Sequence, residues 1–483
     1  MSGTSGPLGA LGDPLGLLRD AWTTTEDAAL SLLGRDRARL AVTGLSRAGK
    51  TVFLTSLVAN LLAAPRARTL PALESLLGGR LVDVALVPAG TETTPRFDAH
   101  AHLAALAADP PRWPERTEDL STLSLALTVR RRGWYGGVLP DRVVTLDLLD
   151  YPGEWLLDLP MLGGPRLGGE GFAGWSDAAL ARLRAAPDDP ALRAFLAYAD
   201  ALPEASPGDE ALARRGYALH RDALRALRDR HGLRLLQPGR ALNPGPGGEP
   251  PLLWFFPLPP GGRGGGLEAL LARRHAAYLD HQRDTFFAPV FRRYDRQVVL
   301  VDALGALHAG RAAFEDTAAA LGAVATALQR RSWLDAMLGA GVSRVAYAAT
   351  KADHVPEVSR DALAGLLADL VSGPRAGALE AGAAVSVHAL AAVRCTEEAV
   401  AEPAGGGNGR PVPAVRGVLL DSGRWARVDP GVVPPRSPPE GYWRAGFFEM
   451  PAFRPPRLDP HGAGGVPHIG LDALLADLLG DLL

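Results

Sequence analysis

Arg39-Leu-Ala-Val-Thr43, then Gly44-Leu-Ser-Arg-Ala-Gly49-Lys50-Thr51, then Thr51–Ala63 (TVFLTSLVANLLA): this stretch decides the fold. The first five residues are a short apolar run that suits a buried strand. The last segment carries Phe53, Leu54, Leu57, Val58, Leu61 and Leu62 at the i, i+3, i+4, i+7 spacing of a helix packed on a sheet. Between them stands G-x-x-x-x-G-K-T, directly after a strand and opening a helix, which is the setting in which that spacing forms a phosphate loop. Its glycines let the backbone N–H groups of Ser46, Arg47, Ala48, Gly49, Lys50, Thr51 and Val52 turn toward phosphate oxygens, and the helix presents its positive end to them. Gly44 starts the turn, Lys50 adds a point charge near the β and γ groups, and Thr51 offers its hydroxyl to Mg²⁺.

Outward from this unit, strands are expected at Leu123–Val129, Val143–Leu149, Val298–Val301, Arg344–Ala349 and Ala384–Val387. Helical patterns at Ala312–Arg330 and Asp361–Leu370 alternate with the later strands, and Leu471–Leu482 closes the chain. The class is therefore α/β: a P-loop NTPase with a Ras-like mixed sheet, interrupted by a large helical insertion. We expect an N-terminal helical segment at 1–36 (Leu17–Leu33), core at 37–154, an arginine-studded helical insertion at 155–289, core again at 290–396, a Pro/Gly-rich excursion at 397–467, and a core helix at 468–483. Strand pieces inside the excursion are expected at Gly417–Leu420 and Trp443–Phe448.

Composition narrows the function. The 483 residues carry 51 basic and 53 acidic side chains, a net charge of −2, so no global field draws the protein to nucleic acid. Apolar residues at 47% supply a core, while one cysteine, Cys395, allows neither an internal disulfide nor a multi-thiolate zinc site. The single cysteine fits a reducing cytoplasm; no secretory signal and no run long enough for a transmembrane helix is expected, and contact at a membrane surface stays open. Only two of the basic residues are lysine, Lys50 and Lys351, and all the rest are arginine. A site that keeps lysine against such a bias needs the compact ammonium rather than the planar fork.

Both lysines fall in nucleotide-site patterns. Val143–Leu149 delivers Asp150 at a strand end, and Gly153 follows at the third position, a D-x-x-G signature in which Asp150 holds Mg²⁺ through water and the Gly153 N–H meets the γ-phosphate. Glu154 then stands where a residue can orient the attacking water. A second D-x-x-G, Asp302–Gly305, is the rival; Asp150 is favoured because its strand follows the phosphate loop more closely. Thr350-Lys351-Ala352-Asp353 ends another strand, and the carboxylate of Asp353 can accept both donors of a guanine edge, which adenine lacks. Ala389 and Leu390, after the next strand, suit a second base-contacting loop. Arg47 is a candidate arginine finger in cis, and Thr94 and Thr117 are candidates for a first-switch Mg²⁺ ligand. Gly169-Glu-Gly171-Phe-Ala-Gly174 and the His100/His102 pair are read as decoys.

GLSRAGKT, LLDYPGEWLLDLP (Leu148–Pro160), LLQPGR (Leu235–Arg240), FFPL (Phe255–Leu258) and ATKAD (Ala349–Asp353) together resemble the YcjX family of Ras-like P-loop GTP-binding proteins, from about Leu17 to the C-terminus. The resemblance implies GTP/GDP and Mg²⁺ as ligands, with Gly44, Lys50 and Thr51 on phosphates and magnesium and Asp353 on guanine. It also implies a helical insertion after the switch glycine and an association with bacterial stress responses. Thr350 replaces the usual asparagine and Glu154 the usual glutamine. The expected activity is slow, Mg²⁺-dependent GTP hydrolysis, about 10⁻⁴–10⁻² per second unassisted, with a protein partner docked through the insertion. The alternatives are a nucleotide-dependent scaffold and a P-loop ATPase or kinase.

Overall fold

The computed structural model describes residues 35–87, 95–115, 119–131, 140–163, 171–287, 294–336, 342–401, 411–445, 448–459 and 464–483. The helix expected at Leu17–Leu33 and the candidates Thr94 and Thr117 lie outside them. The centre of the molecule is a seven-stranded sheet in the order β2-β3-β4-β1-β5-β6-β7. The strands are β1 (Arg35–Gly44), β2 (Leu81–Val87), β3 (Ser121–Val129), β4 (Arg142–Asp150), β5 (Arg296–Val301), β6 (Arg344–Ala349) and β7 (Ala384–Ala389). β1 pairs in parallel with β4 and β5, and β6 and β7 continue the parallel run. β3 runs antiparallel to both β4 and β2, which makes the sheet mixed.

This topology places the carboxyl ends of β4, β1, β5, β6 and β7 along one edge. In open α/β sheets that edge is where ligands bind, because the loops leaving the strands and the helix N-termini face the same crevice. Helix α1 (Lys50–Ala63) follows β1, and its residues Phe53, Leu54, Leu57, Val58 and Leu61 are buried among β-strand side chains including Leu40, Val42, Leu146 and Leu300. Short α2 (Pro71–Leu77) and α3 (Ala99–Ala107) precede β3.

Between β4 and β5 the described chain contains helices and no strand. A 3₁₀ segment, Gly153–Gly163, leads to α4 (Phe172–Ala185), α5 (Pro190–Asp200), α6 (Glu210–Arg230), the one-turn α7 (Gly239–Leu242) and α8 (Gly266–Gln282). These share a core of their own, in which Phe195, Tyr217, Phe255, Phe256, Tyr278 and Phe287 are buried together. The FFPL segment lies in this core rather than on the surface. The arginines of the region are largely spoken for: Arg221 pairs with Glu249, Arg230 with Asp189, and Arg214 and Arg274 lie over the Trp254 ring.

After β5 come α9 (Ala303–His308) and α10 (Arg311–Ala336), then β6, α11 (Arg360–Leu370), α12 (Ser372–Glu380) and β7. The Pro/Gly-rich region departs from expectation. It contributes a three-stranded antiparallel sheet of β8 (Thr396–Ala401), β9 (Val412–Val418) and β10 (Trp425–Val428). Trp443 is not in a strand: it belongs to α13 (Glu440–Ala445), and Phe448 makes only an isolated bridge to Gly431. Helix α14 (Leu471–Leu479) buries Leu471, Leu474, Leu475 and Leu478 in the same core as α1. No helix of the described residues is long and apolar enough to cross a membrane.

Candidate functional site

The loop after β1 has the backbone its sequence predicts. Gly49 sits at φ 84° and Arg47 at φ 68°, so two of its residues occupy the left-handed region, and one of them carries a side chain. Lys50 Nζ donates to the Gly44 carbonyl at 2.9 Å, closing the loop on itself. Thr51 is in the first turn of α1, and its carbonyl accepts the Thr55 hydroxyl at 2.7 Å. Ala48 is buried, Ser46 and Val52 half-buried.

Asp150 ends β4 and is buried, and the next residue, Tyr151, shares a 2.8 Å hydrogen bond with Thr43 of β1. Gly153 is packed hard on the phosphate loop: a Cβ there would lie 2.1 Å from the Gly44 carbonyl oxygen and 2.6 Å from Lys50 Nζ. Only glycine permits that approach. Glu154 is 8% exposed. Burial pushes its carboxyl up, but the Lys50 charge and the Ser46 hydroxyl, with a smaller effect from Arg228, outweigh it and hold the carboxyl below its ordinary value. The Glu154 carboxyl is thus favoured as an anion by the phosphate-loop lysine. An oxygen donor set of a threonine hydroxyl and a strand-end carboxylate, Thr51 and Asp150, suits a hard cation such as Mg²⁺.

At the neighbouring strand ends the two D-x-x-G candidates separate. Asp302 Oδ1 accepts the Gly305 N–H at 2.9 Å and caps α9, and its Oδ2 accepts Lys351 Nζ at 2.5 Å. Asp302 is therefore committed to a cap and an ion pair. Lys351 has φ 64°, and the Thr350 N–H donates to the Val301 carbonyl at 2.9 Å. The β6 and β7 loops are stitched together, the Ala352 N–H donating to Leu390 and the Leu390 N–H to Ala349. Asp353 is 2% exposed and engaged on both oxygens: Oδ1 lies 3.3 Å from His354 Nδ1, and Oδ2 accepts the Cys395 N–H and Sγ–H, both at 2.8 Å. Burial opposes its ionisation, but His354 and Cys395 outweigh that and keep its carboxyl below the ordinary value. Leu390 is fully buried and Ala389 half-buried beside it. Lys50, Thr51, Asp150, Gly153 and Glu154 are thus gathered at one end of the strand edge, and Thr350, Lys351, Asp353, Ala389 and Leu390 at the other.

The helices between β4 and β5 reach this edge through contacts that motif reading does not find. Arg47 Nη2 donates to Asp229 of α6 at 3.0 Å, and Arg228 donates to the same carboxylate through Nε and Nη2. The Trp155 indole donates to the Asn243 carbonyl at 2.9 Å, and the Arg240 guanidinium lies 3.4 Å from the Trp155 ring centroid. Asp158 accepts the Gly239 N–H at 2.8 Å and the Tyr278 hydroxyl at 2.5 Å. Gly239 touches the Glu154 backbone so closely that a Cβ would sit 1.8 Å from its carbonyl oxygen. The LLQPGR stretch could have flagged Gly239 and Arg240; nothing local marks Arg228 or Asp229. Of the two patterns read as decoys, Gly174 is inside α4 while Gly169 lies outside the described residues, and His102 lies against Phe97 with ring centroids 4.8 Å apart.

A mixed α/β sheet with a glycine-rich loop, a lysine and two strand-end aspartates at the carboxyl edge of its parallel strands defines a class consistent with the Ras-like NTPases. The chain belongs to the YcjX-like family, DUF463, whose model matches residues 38–483. It is similar to the Ras-like GTPase YcjX of Escherichia coli (strain K12), 34% identical over 469 residues that cover 94% of this chain and 98% of that protein. It is also 33% identical to the Ras-like GTPase YcjX of Shewanella oneidensis, over 92% of this chain and 94% of the relative.

Proposed function

We propose that this protein is a cytoplasmic GTP-binding switch that hydrolyses GTP slowly with Mg²⁺, and that the helices between β4 and β5 form an insertion that docks a protein partner. The observation that carries the reading is the shared strand edge: phosphate-loop, D-x-x-G and T-K-x-D residues all end parallel strands that lie side by side. The backbone amides of Gly44–Val52 and the Lys50 ammonium bind the phosphates. Thr51 and Asp150 hold Mg²⁺, which neutralises charge on the β and γ groups when bound. Gly153 reports the γ-phosphate, and Glu154, kept charged by Lys50, gives way to it. Asp353, with Thr350, Lys351 and the Ala389–Leu390 loop, reads the base. The relatives' names support GTP as the nucleotide. The same resemblance suggests service in a bacterial stress response.

Calorimetry with GDP, a non-hydrolysable GTP analogue and the matching adenine nucleotides, each with Mg²⁺, tests the reading. We expect guanine uptake over adenine, and a loss of at least about tenfold in affinity in Lys50→Ala, equivalent to about 1.4 kcal/mol. No guanine uptake, or undiminished affinity in Lys50→Ala, refutes it.

One observation favours a second reading, a nucleotide-dependent scaffold with little hydrolysis. Against the effect of burial, Lys50 and Ser46 hold the Glu154 carboxyl below its ordinary value, which makes it a weak base, and its charge would repel phosphate. Single-turnover hydrolysis by wild type and Glu154→Gln separates the two: a scaffold shows no change in rate.

A further inference from the structure

The segment joining α6 to α7 lies over the phosphate loop and carries an arginine that its surroundings leave unsatisfied. Gly232, at φ 72°, turns the chain out of α6. The N–H groups of Arg234 and Leu235 then both donate to the Asp316 carboxylate of α10, which pins the main chain. Leu235 packs in one cluster with Leu45 of the phosphate loop, Leu157 and Leu304. Two residues after Leu235, Gln237 Nε2 donates to the Leu157 carbonyl, and Gly239 abuts Glu154. The Arg234 side chain stands within the electrostatic reach of Asp302, Arg47, Asp316 and Glu154. Its Nη1 is buried and has no hydrogen-bond partner among the described residues.

A buried guanidinium donor left unmade costs free energy and calls for an explanation. Of the other arginines nearby, Arg240 also has a buried Nε without a partner but is stacked on Trp155, whereas the two at the phosphate loop are paired. Arg47 and Arg228 both donate to Asp229, so one carboxylate serves two guanidinium groups, and Arg47 stands exposed at the loop's rim. Arg234 offers a planar fork from a main chain that Asp316 pins, and it feels the charge of Glu154.

We propose that Arg234 is a catalytic residue of this protein, an arginine supplied in cis whose Nη1 donates to the γ-phosphate oxygens of GTP as the transition state forms. The proposal rests on the GTPase reading above, and it takes over the role that the sequence suggested for Arg47. Water adds to the γ-phosphorus while the bond to the β-phosphate oxygen of GDP breaks. The products are GDP and hydrogenphosphate, one proton of the water remaining on phosphate and the other passing to solvent. Arg234 donates hydrogen bonds throughout and transfers no proton.

The test is formation of the complex of GDP, Mg²⁺ and aluminium fluoride, which mimics the transferring phosphoryl group. Wild type should form it without any added protein, whereas Arg234→Ala should not, while binding GDP as wild type does and melting at the same temperature. Its single-turnover rate should fall on the order of 10³-fold, the effect of a missing finger. A merely structural arginine would instead move GDP affinity or melting temperature and leave fluoride trapping proportional to them. Arg234→Lys, which keeps the charge but not the fork, should stay impaired, and it replaces Arg234→Ala if the latter does not fold. A wild type that hydrolyses GTP yet never traps fluoride, or a variant that traps it equally well, overturns the proposal alone. A wild type that neither binds nor hydrolyses GTP overturns the GTPase reading, and this proposal with it.

Discussion

Replacing Asp158 by asparagine should make the protein's stability less sensitive to pH. Asp158 lies wholly inside the helical region, and burial pushes its carboxyl up from 3.8 to about 6, against the opposing pull of the Tyr278 hydroxyl, the Gly239 N–H and Arg240. The folded protein therefore holds this proton more tightly than the unfolded chain does. Below about pH 4 both states are protonated and the residue costs nothing. Between about pH 4 and pH 6 the unfolded state gives up its proton first, so stability falls as pH rises. Above pH 6 the whole penalty is present, about 3 kcal/mol at 1.36 kcal/mol per pH unit. Between pH 5 and pH 7.5 the penalty grows by about 1 kcal/mol. Asparagine keeps an oxygen for the Gly239 N–H but turns the Tyr278 hydroxyl from donor to acceptor, which offsets about 1 kcal/mol of the gain at every pH. Urea unfolding of wild type and Asp158→Asn at pH 5.0 and pH 7.5 measures the difference. The variant should gain on wild type by about 1 kcal/mol on going to the higher pH. A gap between the two proteins that stays constant with pH, or that closes at pH 7.5, refutes the account.

Gly153→Ala must push its loop away from the phosphate loop, because a Cβ would sit 2.1 Å from the Gly44 carbonyl oxygen and contacts under 3.0 Å are not tolerated. The required retreat of about 0.9 Å should cost about 1–3 kcal/mol of stability and, on the GTPase reading, slow hydrolysis more than it weakens GDP binding; an unchanged melting temperature and rate would contradict it. Arg240→Ala removes a guanidinium stacked 3.4 Å from the Trp155 ring centroid in a largely buried setting. It should destabilise by about 2 kcal/mol and speed backbone hydrogen exchange at 153–158, whereas exchange protection equal to wild type would show that the stack does not hold this segment.

The strand, loop and helix around Gly44–Thr51 were legible because three local signals agree there: an apolar run, a glycine-lysine-threonine turn and a helical stripe. β6 was found at Arg344–Ala349, its full extent, since it is buried along its length and bounded by turn residues. β2 was not anticipated, and the reason is visible in its setting. It is the edge strand of the sheet, Val84 is its one fully buried residue, and LVDVALV does not alternate. In the Pro/Gly-rich region the piece expected at Gly417–Leu420 caught only the end of β9, and β8 and β9 pair across a long intervening segment, so no tight turn joins them. Trp443 and its neighbours are apolar enough to suggest a strand, yet an acidic first turn at Glu440 begins a short helix instead. The motif residues of the site were readable for the same reason as β1. Asp158, Arg234 and Gly239 were not, because their meaning comes from partners about 80 residues away: the Gly239 N–H reaches Asp158 across 81 positions and the Leu235 N–H reaches Asp316 across 81.

These distant contacts bear on how a nucleotide signal could leave the site. Coupling requires an element with two arrangements that both sites bias, and not mere adjacency. The 3₁₀ segment from Gly153 is held at its start by the phosphate loop and two to five residues later by the helices, through Trp155 on Arg240 and Asn243 and through Asp158 on Gly239 and Tyr278. Glu154 sits between these anchors, with its carboxylate stabilised by the Lys50 charge and its carbonyl against Gly239. On the GTPase reading, a γ-phosphate and the Glu154 carboxylate compete for the same ammonium, and two anions cannot share that pocket without a large repulsion. Displacing the carboxylate moves a backbone that has no free space on the Gly239 side, so the 237–243 segment must move with it or Glu154 must turn about its side-chain bonds alone. The first outcome sends the signal into the helices and carries Arg234, three residues before Gln237, along with it. Glu154→Gln distinguishes them: if the carboxylate is the lever, its neutral analogue should bind GTP more tightly while exchange protection at 234–243 no longer differs between the GDP and GTP forms.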